Sequence, residues 1–349
     1  MKILTFVIPA YNSEKYLDKC ITSMLKPELL GEIEIIVVND GSTDRTSEIA
    51  SKYVGLYPDT VRLIDQENRG HGGALNTGCM AAKAKYLKVI DADDWVNTDS
   101  LIPFVKKLRE CESDVVITFY HTIHQGTAEV RSWRCFPEKF DVAYSMTDIM
   151  KTFSAFHSSF MFHGIIYRSD FYQSYTLPLP EHIFYDDHVF TTFPCCYAKS
   201  ITPLDLYVYE YRIGDSEQSV SRSNQVKRHT HTEKVLSVME HRYQTMKDTA
   251  GRQYAGQKII DLMISYFSIM LLSDVDRREG RALARTQYKN AKMLAPDLVS
   301  AVRYKYYFFM MMNYLHISEQ VWDGIISSSW YDRIRGKHTL NQKSDEMSI

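Results

Sequence analysis

The chain lacks any Cys-x-x-Cys pair. Its six cysteines fall at unrelated spacings, with Cys195 and Cys196 adjacent. This excludes the usual zinc clusters and offers no disulfide framework, so reduced thiols in a cytoplasmic protein are the plain reading. No run reaches the ~20 apolar residues that span a bilayer. Met1 to Pro9 reads as a short strand, with no apolar h-region and cleavage site of a secretory leader after it. A strong charge of either sign is also missing. The 41 Lys and Arg stand against 43 Asp and Glu, a formal net charge of −2, so nucleic acid is not an expected partner. There is no internal repeat and no low-complexity tract. What remains is a globular composition, 45% hydrophobic and 24% charged. Its 349 residues suffice for one large domain or two ordinary ones.

The densest chemistry lies in Val89-Ile90-Asp91-Ala92-Asp93-Asp94-Trp95. An apolar strand, Tyr86 to Ile90, ends in three carboxylates within four residues. Charges packed that closely repel, so one takes a proton or a cation sits among them. Magnesium or manganese suits the second case, because magnesium is held by one or two carboxylates plus substrate phosphates and water. The alternative is a solvated acidic turn.

The first third of the chain alternates strand and helix. Ile3–Ile8, Ile33–Val38, Val61–Ile64, Tyr86–Ile90 and Val115–Phe119 read as short buried strands. Ser13 is placed to cap a helix through Leu17, Ile21, Met24 and Leu25. Thr43 and Asp44 open a second helix, Gly72 to Ala84 forms a third and Asn97 to Glu110 a fourth. This order predicts an α/β fold with a doubly wound, mainly parallel sheet. Ligands of such sheets bind outside the carboxyl ends of the strands. Tyr120–Ile123 and Glu129–Arg134 form an expected hairpin, Ser145 starts a helix to Phe153, and Phe160–Tyr167 and Leu206–Tyr211 read as strands. From Asn224 onward the pattern is helical, with Ile259, Leu262, Met263, Tyr266, Phe267, Met270 and Leu271 at 3–4 residue spacing.

The residues after Ile8, Val38, Ile64 and Ile90 would share the ligand rim, and five segments carry candidate chemistry. In Val7-Ile8-Pro9-Ala10-Tyr11-Asn12, Tyr11 either stacks on a nucleobase or packs in a turn. In Val38-Asn39-Asp40-Gly41-Ser42-Thr43-Asp44, Asp40 either accepts a pyrimidine N–H or caps the next helix. Asn68-Arg69-Gly70-His71-Gly72-Gly73 carries glycines that let backbone approach a phosphate or sugar. His71 there either touches a diphosphate or faces solvent. The acidic strand end is the fourth segment. The fifth, Phe184-Tyr185-Asp186-Asp187-His188, opens an apolar helix with two acids that serve as a base or merely as caps.

Taken together, these segments resemble the family 2 glycosyltransferases of the GT-A type over roughly residues 1–222, with Asn76-Thr77-Gly78 an added match. The resemblance implies a Rossmann-like GT-A catalytic domain over 1–222 and a C-terminal helical region over 223–349. Residues 1–110 would bind nucleotide, and 111–222 would carry the acceptor and catalytic part. By resemblance Pro9, Tyr11 and Asp40 hold a uracil ring, and Asn68 and Gly70 belong to the donor loop. Asp91 lies near the ribose, and Asp93 binds Mg2+ or Mn2+ on the diphosphate of a UDP-sugar. Asp187 matches the general base of inverting members. The family's Glu-Asp pair is Asp186-Asp187 here, a shorter first acid. Tyr207 to Asp215 and Gln218 to Ser221 also resemble this family, with Arg212 and Ser219–Ser221 closing over the diphosphate. The Gln-x-x-Arg-Trp motif of processive members is not found.

The implied activity is metal-dependent transfer, with inversion, of a hexose or N-acetylhexosamine. It would go from a UDP-sugar to a hydroxyl of a cell-surface polysaccharide, teichoic-acid or lipid-linked glycan. A nucleotidyltransferase would need a basic glycine-rich loop after the first strand, and Pro9-Ala10-Tyr11-Asn12 is not one. A non-catalytic nucleotide-sugar-binding protein is the other alternative. Phe160 to Gly164 is expected on the acceptor side, with His163 either an acceptor contact or a core residue. Tyr304–Leu315, followed by Trp322, Trp330, Arg333, Arg335 and Lys337, would rest on the inner membrane face, or else pack in a core or a homodimer contact.

Overall fold

The computed structural model describes residues 2–156, 160–175, 177–214, 222–273, 276–317 and 321. Four strands build its parallel half: β1 (Leu4–Ala10), β2 (Ile33–Asp40), β3 (Val61–Gln66) and β4 (Tyr86–Val89). β1 lies between β2 and β4, and β3 adds outside β2, all parallel. The crossovers are α1 (Leu17–Met24), α2 (Thr46–Leu56) and α3 (Gly70–Ala81). Both faces of β2 are covered, as continuous apolar strands of this kind require. Ile33, Ile35 and Val37 enter the large core cluster, while Ile36 and Val38 pack with Ala74 of α3.

The second half is mixed. After a two-strand-residue piece, β5 (Trp95–Val96), and α4 (Leu101–Glu110), the chain forms β6 (Val115–His124) and β7 (Val130–Trp133), the expected hairpin. Next come α5 (Met146–Lys151), α6 (Phe153–Phe156), β8 (Ile165–Arg168), α7 (Ser169–Ser174), α8 (Asp187–Tyr197) and β9 (Ile201–Ile213). The strand order is β3-β2-β1-β4-β8-β6-β9-β5, with β7 also on β6. β8 is antiparallel to β4 and β6, whereas β6 and β9 form a long parallel pair. The result is a mostly parallel sheet with flanking helices and a helical C-terminal region.

Several local expectations shift. Ser13 does not cap α1, whose side-chain N-cap is absent; its N–H instead donates to Thr46 Oγ1 at 2.7 Å. Asp44 stands one residue before Arg45, the N-cap of α2, and accepts from Thr46 N at 3.0 Å. Ser145 forms a full capping box with Asp148. The expected strand Phe160–Tyr167 keeps only its end, because Phe162–Gly164 turns as a 3-10 helix.

The helical region comprises α9 (Arg222–Lys227), α10 (His229–Thr245), α11 (Ala250–Leu272), α12 (Arg277–Leu294) and α13 (Pro296–Tyr314). Two compact units divide the chain, Met1–Asp261 and Leu262–Ile349. The first holds all of segment 1–222 and adds α9, α10 and the first half of α11. Tyr254 of α11, for example, donates to Thr191 O of α8 at 3.0 Å. No unbroken run of ~20 apolar residues occurs, yet α11 is long and apolar enough to span a bilayer by length and composition, with a mean hydropathy of 1.3 over an 18-residue window. Arg252, Lys258 and Asp261 break the consecutive run, and 61% of that window is buried, as in the core helix of a soluble protein. Trp322, Trp330, Arg333, Arg335 and Lys337 lie outside the described residues, as do Ser219–Ser221.

Candidate active site

The carboxyl ends of β1 to β4 form one rim, laced by side-chain bonds. Asn12, at a φ of 49°, follows Tyr11 and joins the β2 loop: its N–H donates to Ser42 Oγ at 3.0 Å, and its Oδ1 accepts from Thr43 N at 2.9 Å. The Tyr11 ring stands half exposed beside this junction, 53% accessible, while Pro9 is buried within β1, opposite Val38. Asp40, the last residue of β2, is buried. Its Oδ1 accepts from Gln66 Nε2 at 2.7 Å and from Arg69 N at 2.8 Å. Its Oδ2 has no hydrogen-bond partner among the described residues. Asp40 thus bonds to the β3 loop, and it is Asp44, not Asp40, that accepts from the first N–H of the next helix.

The glycine-bearing loop packs on protein. Asn68 Oδ1 accepts from Gly70 N at 3.3 Å, a turn that feeds α3. Gly70 has a φ of 74°, and a Cβ there would lie 2.9 Å from His182 N. At Gly72 a Cβ would lie 2.3 Å from Pro180 O. These glycines let the start of α3 touch the 180–186 loop, which enters the site with Tyr185 at a φ of 69°. A bulky residue at positive φ is strained and persists only where its surroundings hold it.

Between these segments His71 spans two carboxylates. Its Nδ1 lies 3.0 Å from Asp186 Oδ2 and its Nε2 3.2 Å from Asp91 Oδ1. Burial alone would lower its pKa, but Asp186 and then Asp91 raise it well above the ordinary histidine value. The ring, a third exposed, is thus held in its protonated form between the strand end and the 180–186 loop. Sequence position hid this, since the two partners are 115 residues apart.

The acidic strand end is divided by role. Asp94 is buried, with Oδ2 accepting from Tyr209 OH at 2.5 Å and Oδ1 from Arg212 N at 2.8 Å. Burial, then Asp93 and Asp91, push its pKa well above the carboxylate range. Asp93 is about a third exposed, and its Oδ2 accepts from Arg212 Nη2 at 2.7 Å. Burial and Asp91 raise its pKa against the pull of Arg212. Arg212 itself is buried, its guanidinium 4.2 Å over the Tyr16 ring. It therefore holds Asp93 in place.

On the opposite side Asp186 is buried and taken by His71, while Asp187, the first residue of α8, is only partly buried. Its carboxylate has no hydrogen-bond partner among the described residues. Asp91 and Asp187 both act on His163, and all four of Asp91, Asp93, Asp94 and Asp187 act on Tyr211. The acids at the end of β4 and at the start of α8 therefore lie near the same two rings. His163 lies among aromatics, stacked on Tyr211 at 4.1 Å and edge-on to Tyr209 at 4.9 Å. Burial lowers its pKa to about 4, so it is neutral. Two residues not anticipated support this floor. Tyr209 bonds both Asp94 and the Asp91 N–H, and the buried Lys88 donates to His163 O at 2.7 Å. The strand alternation of Tyr207-Val208-Tyr209 is the signal that could have found Tyr209.

The donor set fits a hard divalent cation. Asp91, Asp94 and His163 present ligand atoms within 4.8 Å of one another, but both Asp94 oxygens are already bonded. Asp91 Oδ2 and Asp93 Oδ1 are the oxygens with no partner among the described residues, on side chains 29% and 37% exposed. Burial first, and then the neighbouring acids, raise the pKa values of Asp93 and Asp94, and a cation among them would relieve the repulsion between the acids.

Comparison with known proteins agrees with this geometry. Residues 5–172 match the family model "Glycosyl transferase family 2". The chain is 28% identical over 221 residues to the putative glycosyltransferase EpsH of Bacillus subtilis, covering 60% of each chain. It is 36% identical over 126 residues to the glycosyltransferase GlyG of Streptococcus pneumoniae, covering 36% of this chain and 41% of that one. To the glycosyltransferase GlyA of the same organism it is 35% identical over 123 residues, 35% of this chain and 17% of GlyA. The chain thus spans between about a sixth and three fifths of these relatives' lengths. The structure of S. aureus TarS 1–349 in complex with UDP-GlcNAc superposes with a TM-score of 0.63 at 19% identity, covering 91% of this chain and 93% of that one. Segment 5–172, just under half of the chain, thus matches glycosyltransferase family 2, and the chain has the GT-A fold of its structural neighbours.

Proposed function

We propose that the protein is an inverting, metal-dependent glycosyltransferase. It moves a hexose or N-acetylhexosamine from a UDP-sugar to a hydroxyl of a cell-surface polysaccharide, teichoic-acid or lipid-linked glycan. The observation that carries this reading is the His71 bridge, which ties Asp91 on the donor rim to Asp186 beside the base candidate. The family match and the UDP-GlcNAc held by TarS support the choice of donor.

In this reading Tyr11 and Pro9 bound the uracil and Asp40 Oδ2 accepts its N–H, while Asn68 and Gly70 shape the donor loop. Asp91 faces the ribose, and Asp93, oriented by Arg212, would hold Mg2+ or Mn2+, which would supply Lewis-acid stabilisation of the leaving diphosphate. Asp187 takes the acceptor hydroxyl's proton, its carboxylate being partly exposed and unbonded. The acceptor oxygen then bonds to the anomeric carbon as the carbon–oxygen bond to UDP breaks on the opposite face, so a UDP-α-sugar gives a β-linkage. Asp186 is the positioning acid, and His71 compensates for its short reach. Segment 1–222 is the catalytic part and 223–349 the helical addition. A cytoplasmic place, peripheral at the inner membrane face, would meet lipid-linked acceptors, and the six free cysteines are compatible with it.

The test is UDP release from a panel of UDP-sugars with Mn2+ and an acceptor. Asp187→Asn should abolish acceptor-dependent release while keeping the thermal shift produced by UDP. Unchanged release in Asp187→Asn would remove the base assignment. UDP binding with no turnover on any donor–acceptor pair would favour the non-catalytic reading.

A further inference from the structure

Helix α13 carries two apolar faces, and the core uses one. Leu298, Val302, Tyr306, Phe309, Met310 and Met312 are buried. The other face exposes Tyr304, Tyr307, Met311, Tyr314 and Leu315, between 50% and 79% accessible. Their spacing of three to four residues makes one stripe along the helix.

Basic side chains of α12 border that stripe. Arg281 stacks its guanidinium 4.5 Å over the Tyr314 ring, and Arg285 Nη2 donates to Tyr314 OH at 2.8 Å. Further along, Tyr288 meets Tyr307 edge-on at 6.1 Å and carries Lys292 over its ring at 4.9 Å. Between Leu262 and Ile317 eight Arg and Lys stand against four Asp and Glu, in a chain whose formal net charge is −2. Exposed tyrosines beside Arg and Lys suit a bilayer interface, where rings sit at headgroup depth and cations meet anionic lipid.

We infer that the α12–α13 face is a peripheral docking surface for anionic phospholipid headgroups. The positive surplus argues for lipid over a second copy, since a like-charged copy would be repelled across the same face. The inference extends the inner-face placement of the proposed function and names the surface and lipid charge that would produce it.

The test is co-flotation of the full chain with phosphatidylglycerol–phosphatidylcholine vesicles, with pure phosphatidylcholine as control, at low and high salt. The chain should float with the anionic vesicles at low salt only. The variant R285Q/K292Q/R303Q should bind at least tenfold more weakly, taking about fivefold per cation near the surface. Y304S/M311S should lose binding too, with an unchanged melting temperature because both residues are exposed. Asp187→Asn should float like wild type, so loss of catalysis and loss of docking read separately. Equal flotation with neutral vesicles, or none with anionic ones, would overturn the inference. So would a dimer that Y304S/M311S converts to monomer, because the stripe would then be a self-contact.

Discussion

Replacing His71 by Gln should destabilise the fold through Asp186. The Asp186 side chain is 3% exposed and its carboxylate faces the imidazole at 3.0 Å. Removing one partner of a buried pair costs about 3–5 kcal/mol. The imidazole is a third exposed, so the low end applies, about 3 kcal/mol. At about 2–4 °C per kcal/mol for a domain of this size, the melting temperature should fall by roughly 6–12 °C. Asp186→Asn in the same background should recover part of that loss, because the stranded charge is gone. The cycle should therefore show a coupling of about 1–3 kcal/mol. The pH dependence has a definite sign. Burial alone would lower the His71 pKa, but Asp186 and Asp91 raise it. A raised folded-state pKa gives stability that is complete below about 6.5 and is lost as pH climbs through the raised value. The H71Q loss, read by thermal melts, should be largest near pH 6 and shrink toward alkaline pH. A variant melting within about 1 °C of wild type at pH 6, well inside the shift worked above, would refute the bridge, as would strictly additive losses.

Gly72→Ala should displace the 180–186 loop, since its Cβ would sit 2.3 Å from Pro180 O; a lowered melting temperature and a loss of turnover should accompany each other. Lys88 is buried and its pKa falls to about 7. Between that value and its unfolded value the unfolded state binds more protons, so stability rises with pH. Lys88→Met should flatten this rise, seen by comparing urea midpoints of the two proteins from pH 7 to 10. Asp93→Asn should raise the Mn2+ concentration needed for half-maximal UDP release by at least about tenfold, a loss of roughly 1.4 kcal/mol in metal binding; an unchanged requirement would move the metal elsewhere.

The rim was legible because apolar runs end abruptly. Tyr11, Asp40 and Asp91 each follow a β-branched strand, and parallel topology puts such ends together. The hairpin and the Ser145 cap were legible from local turn and cap chemistry. Contacts across long separations were not. Nothing near His71 shows that Asp186 will reach it, and the glycines beside it suggest a phosphate cradle although Pro180 and His182 take their space. The Asp93–Arg212 pair joins residues 119 apart. β8 is shorter than its apolar run because the 3-10 turn at Phe162–Gly164 uses the first residues to bring His163 onto Tyr211.

The most direct measurement is a crystal structure of the protein with UDP and Mn2+. The account predicts the uracil against Tyr11 and Asp40, the ion between Asp93 and the diphosphate, and Asp187 facing the open side of the same cleft. UDP seated away from the β1–β4 rim, or Asp187 turned toward a separate cavity, would contradict it.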